Sequence, residues 1–236
     1  MLRGIPKAVE ALAKTGPDDE SSTYEKRLEQ AKQEADMAQK EVDNGFPLLH
    51  AQAVVSLWGS LESLMSTFLA RWLANEPKAI LMNQVQKLKV QLGDYESLDR
   101  EERSYYILDL LERDLQSPLK QGVSRFELPL EIFGLGGQVD RNVNKKLFEM
   151  GQIRNVIVHR RGIVDRKLKS ACPWLKTTIG KSIVINHHDY KQYSYAAISY
   201  VTELIVRVAV YFGQSRDEFK ETLDNLQDGN RMLFDS

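Results

Sequence analysis

Apolar residues recur at helical spacing along most of the chain, and this pattern predicts an all-α protein. Residues 21–44 read as a polar helix that opens on a Ser22–Glu25 capping box and closes at Asn44 and Gly45. Its stripe of Leu28, Ala31, Ala35, Ala38 and Val42 is modest, as suits an outer helix. The strongest signal runs from Pro47 to about Asn75, where Val54, Leu57, Trp58, Leu61, Leu64, Met65, Phe68 and Trp72 mark a central core helix. A further helix is predicted from Pro77 to about Leu92, ending on the turn residues Gly93 and Asp94. The next begins near Asp99 and is stopped by Pro118. Prolines and glycines between Gln121 and Gly137 predict a long loop with at most short helical pieces.

Helix returns from about Val139 to Arg161, with Gly162 as its stop signal. Ser182, Ile183, Val184 and Ile185 beside Gly180 predict a small β piece near 163–186, paired as a hairpin with Ile163 and Val164. A long helix from about Asp189 to Phe212 follows, and a Ser215–Glu218 capping box starts the last one. The organisation expected is an N-terminal helical extension over 1–45 and a helical domain over 46–236.

Composition adds little until charge is placed along the chain. The net charge is −1, so the protein is not a polycation that binds nucleic acid by composition alone. Yet Arg141 to Lys181 holds eleven Lys or Arg against Glu149 and Asp165, a local balance of +9. The single cysteine, Cys172, is too few for an intrachain disulfide or a cysteine zinc cluster. Met1 to Leu12 lacks the apolar run of a secretory signal, and Glu203 and Arg207 interrupt the late apolar run Tyr200–Phe212. A cytoplasmic protein with no membrane association is therefore expected.

Inside the basic stretch lies Gln152-Ile153-Arg154-Asn155-Val156-Ile157-Val158-His159-Arg160-Arg161-Gly162. On a helix Asn155 and His159 stack one turn apart, while Arg154 falls on an otherwise apolar line with Met150, Gly151, Ile157 and Val158. A guanidinium placed there needs a partner. Glu62, flanked on its face by Val55, Trp58, Met65 and Leu69, interrupts the core helix in the same way, and the two are expected to pair or to share a polar cleft. The chemistry these residues suit is phosphodiester cleavage. Histidine moves a proton near neutral pH, arginine matches two phosphoryl oxygens, and an amide one turn away orients the ring or the phosphate. No carboxylate or histidine cluster here suggests a metal, and no cofactor is expected. His187, His188 and Asp189 lack a spaced third ligand, His50 has no partner in the sequence, and Gly134, Gly136 and Gly137 lack the lysine and hydroxyl of a P-loop.

Arginine, amide, three β-branched residues, histidine, a basic pair and glycine together resemble the motif of the HEPN superfamily, in its RNxxxH-type, RiboL-PSP- and MAE-like subgroup. The resemblance covers roughly residues 47–213. It implies a HEPN-like helical bundle, a homodimer in which motifs of two chains form one composite active site, and metal-independent endoribonuclease activity that uses the ribose 2′-hydroxyl and leaves a cyclic phosphate. By that resemblance Arg154, Asn155 and His159 are the catalytic positions, with Glu62 as the acidic residue of the earlier helix. Lys145, Lys146, Arg160, Arg161, Arg166 and Lys167 are the expected RNA-binding residues. The setting implied is a toxin or antiviral defence system, with RNA as substrate and an antitoxin or defence-system protein as partner. Arg161 stands where some toxin members carry a modifiable tyrosine, which argues against that form of control. The alternative is a catalytically inactive HEPN module that binds RNA, nucleotide or a partner protein.

Overall fold

The computed structural model describes residues 21–115 and 122–234. The side chains of Ser22 and its neighbours, the first twenty residues of the expected extension, and Pro118 lie outside the described residues. The described chain is mostly helical, in the order α1 (Ser21–Asp43), α2 (Pro47–Asn75), α3 (Asn83–Gln86), α4 (Leu92–Ser97), α5 (Arg100–Asp114), α6 (Ser124–Ile132), α7 (Arg141–Arg160), α8 (Arg166–Ala171), α9 (His187–Tyr211) and α10 (Lys220–Phe234), with 3-10 turns at Ala79–Leu81 and Arg216–Phe219. The chain divides into two compact units, Met1–Ala51 with Val184–His187, and Gln52–Ile183 with His188–Ser236.

In the first unit α1 is exposed along most of its described length, with Ala31 buried. Its end reverses through Gly45 and Phe46, at φ +70° and +61°. Phe46 N–H then donates to Glu41 O at 2.7 Å, and the Glu41 carboxylate accepts from Leu48 N–H at the start of α2. His187 and His50 meet in this unit, Nδ1 to Nε2 at 3.3 Å, which supplies the partner that His50 lacks in the sequence.

The core of the second unit is built on α2, whose Trp58, Leu61, Met65, Leu69 and Trp72 are buried. Leu147, Met150 and Ile153 of α7, Leu111 of α5, Leu130 of α6 and Tyr200 of α9 are buried as well. Among the described residues α2 is the one helix long and apolar enough to cross a bilayer, and a third of its most apolar stretch is buried inside the protein.

Three expectations change. The helix predicted from Pro77 to Leu92 is broken by Met82, which is extended at ψ 136°. Ala79 and Val85 are buried while Ile80, Leu81 and Leu92 are exposed, so that stripe has no single packing surface to hold it in one helix. Gly93 and Asp94, read as a turn, lie inside α4.

The segment Gln121–Gly137, expected as a long loop with at most short helical pieces, carries the nine-residue α6 with Pro129 inside. Burial of Phe126, Glu127, Pro129 and Leu130 overrides the local signal.

The hairpin is absent among the described residues. It is reduced to a single antiparallel bridge, Ile163 to Ser182, with Val164 N–H donating to Lys181 O at 2.9 Å. Ile163 and Val164 are confined between the end of α7 and Asp165, which caps α8, so no ladder can extend.

Candidate active site

One glycine-scale contact brings the site helices together. Gly151 of α7 faces Trp58 of α2 so closely that a Cβ there would lie 3.1 Å from the indole ring. Arg154 follows Gly151 by three residues and Glu62 follows Trp58 by four, so both charges emerge about one turn beyond the contact. Arg154 Nη2 stands 4.0 Å from Glu62 Oε2, with side chains 30% and 22% exposed. Arg154 Nη1 also donates to Asn155 Oδ1 at 3.2 Å. The pairing of Glu62 with Arg154, inferred from two charges interrupting two apolar faces, is thus present. Sequence reading missed Arg125 of α6, which pairs with Glu62 Oε1 through Nη1. A cleft of about 280 Å³ adjoins this pair, lined by Glu62, Ser66, Glu112, Arg125, Phe126 and Pro129.

His159 does not join them. It is exposed in the last turn of α7, and among the described residues no hydrogen bond or ion pair links it to Arg154, Asn155 or Glu62. Five residues of helix separate it from Arg154 by about 140° of rotation and roughly 7.5 Å of rise. The helix stops directly after it, because Arg161 and Gly162 both adopt positive φ and Gly162 N–H donates back to Val156 O at 3.1 Å.

The six basic candidates split by position. Arg160, Arg161, Arg166 and Lys167 are exposed near the His159 end, with Arg160 3.7 Å from Asp165. Lys145 lies about 180° around α7 from Arg154 and covers the Trp174 ring at 4.9 Å. Lys146 is 3.0 Å from Glu149 with its side chain 18% exposed, so it neutralises a buried carboxylate.

Glu149 was not singled out in the sequence. It also accepts from Tyr193 O–H and Trp174 Nε1–H, both at 2.6 Å. Burial, followed by the Glu149 charge, raises the Tyr193 hydroxyl far above its ordinary range. The same two causes push the Cys172 thiol up to about 12. A parallel network joins α6 to α9. Glu127 accepts twice from Arg207 Nη1 at 2.9 Å, once from Tyr200 O–H at 2.8 Å and once from Gly137 N–H at 3.1 Å. Tyr200 is likewise raised by burial and by Glu127. Both networks satisfy their carboxylates fully enough to read as structural supports. No group of three or more His, Cys, Asp or Glu suited to a metal ion occurs among the described residues.

No protein-family model, no curated protein and no solved structure matches the chain.

Proposed function

We propose that the protein is a metal-independent endoribonuclease of HEPN type, cleaving single-stranded or looped RNA in a toxin or phage-defence setting in the cytoplasm. The observation that carries this reading is the Glu62–Arg154–Asn155 constellation, an arginine and amide of an RNxxxH segment held against an acidic residue of the central helix. In the reaction the ribose 2′-oxygen attacks phosphorus and the P–O5′ bond breaks, leaving a 2′,3′-cyclic phosphate and a 5′-hydroxyl. Arg154 stabilises charge on the phosphoryl oxygens, Asn155 orients, and His159 transfers the proton. Glu62 keeps the Arg154 guanidinium aimed.

Because Arg154 and His159 diverge around one helix, the proposal places them on one phosphate through a homodimer, His159 being supplied by a second copy. Exposed Arg160, Arg161, Arg166 and Lys167 then guide the strand near His159. The separation of His159 from Arg154 within one chain equally favours a second reading, an inactive module that binds RNA, nucleotide or a partner protein through its basic surface. Purified protein incubated with labelled RNA in excess chelator separates them. Cleavage lost in both His159→Ala and Arg154→Ala supports the nuclease. Cleavage that survives both removes the site, and RNA retention without cleavage favours the module.

A further inference from the structure

Arg125 enters from α6, outside the RNxxxH segment, and shares one carboxylate with Arg154: each guanidinium addresses a different oxygen of Glu62. Of the two cations Arg125 is the more accessible, its side chain 48% exposed against 30% for Arg154. Its backbone, by contrast, is held on every side. Gly122, at φ +60°, backs onto α7 where a Cβ would come 2.8 Å from Phe148 Cα. Phe126 packs its ring centroid 5.7 Å from Trp58 and 6.0 Å from Tyr200. Glu127 is locked to Arg207. The result is a half-solvated guanidinium on a fixed base, at the mouth of a cleft that also carries the Ser66 hydroxyl and Glu112.

Glu62 and Glu112 balance Arg125 and Arg154, so these four groups give the resting cleft no net charge. Affinity for an anion there depends on an arginine turning from carboxylate to phosphate. A guanidinium presents the same planar fork to either partner, so the exchange trades one charge-assisted pair for another of its kind. We propose that Arg125 is a second phosphate-binding residue of this site, leaving Glu62 for a backbone phosphate of the bound strand while Glu62 retains Arg154. This rests on the ribonuclease reading above and specifies a substrate that spans two adjacent phosphates.

The test uses the full chain with a cleavable RNA and with a 2′-O-methyl oligonucleotide that binds without being cut, titrated by anisotropy over a series of salt concentrations. Arg125→Ala is expected to raise KM and the oligonucleotide Kd about tenfold and to reduce the slope of log K against log salt by about one, with kcat little changed. Arg125→Lys falls between it and the wild type. Glu62→Gln, which removes the competing carboxylate charge, is expected to tighten oligonucleotide binding. A merely structural pair would weaken in both variants. If Arg125→Ala leaves KM and the salt slope unchanged while the wild type cuts RNA, the role of Arg125 is overturned and the nuclease stands. A wild type that neither binds nor cuts any RNA overturns both.

Discussion

Gly151 lies tightly against the indole of Trp58: a Cβ would meet the ring at 3.1 Å. This contact sets how closely α7 approaches α2, and therefore whether Arg154 reaches Glu62 one turn later. Gly151→Ala gains up to about 1 kcal/mol of helix propensity and asks Trp58 to yield a few tenths of an ångström, so its net effect on unfolding is expected within about 1 kcal/mol of zero. Gly151→Val overpacks the contact and is expected to cost about 1–3 kcal/mol. Denaturant unfolding measures both. Under the proposed function RNA cleavage falls in the valine variant more than in the alanine one, because the guanidinium is carried away from its carboxylate.

Arg207 is buried, its side chain 8% exposed, and serves Glu127, Leu135 O, Gln138 O and Glu203 together. Removing it leaves Glu127 buried without its cation. Arg207→Met is expected to destabilise the fold by about 3–5 kcal/mol. Arg207→Lys keeps the charge but cannot span the same acceptors with one ammonium group, and its loss is intermediate. Urea midpoints at constant slope give the comparison.

Local pattern carried the parts of this fold whose partners lie close along the chain or whose polarity breaks a regular stripe. Asp99 and Ser215 were readable as helix starts because a capping residue and a glutamate three positions on form a local unit. Glu62 and Arg154 were readable because each interrupts an apolar face. Arg125 was hidden by the prolines and glycines around it, and it becomes helical through burial of Phe126 and Leu130. Arg207 stood out within the late apolar run, but Glu127 lies 80 residues away and nothing local points to it. His50 and His187, 137 residues apart, are the same case. Lys146 is a different case. A lysine in a basic stretch looks solvated until the carboxylate three residues on proves to be buried.

Alkaline stability follows from three groups. Burial raises Tyr193, Tyr200 and Cys172 above their ordinary values, so each stays protonated in the folded chain at a pH where it would ionise unfolded. Between those values the folded state binds more protons, and stability falls as pH rises. The contribution is fully present below about pH 8.5, where unfolded cysteine begins to ionise, and is lost progressively above it, more steeply past about pH 10, where unfolded tyrosine joins. Unfolding free energy measured from pH 7 to 11 is expected to be level at first and then to decline. A thiol pushed up to about 12 is also unreactive, so Cys172 resists alkylation at pH 8 until denaturant is added. Labelling of the native protein at the rate of a free thiol would contradict this.

The dimer is the part of the proposed mechanism that the helix geometry tests most directly. If one phosphate takes Arg154 from one chain and His159 from the other, a heterodimer of Arg154→Ala with His159→Ala subunits contains one intact site and one doubly defective site. If each chain supplied both residues, that heterodimer would contain none. Mixing the two inactive variants after subunit exchange is therefore expected to restore on the order of a quarter of wild-type cleavage, since half the dimers are mixed and half their sites complete. A mixture as inactive as its components, with exchange verified by a mass tag, would remove the composite site.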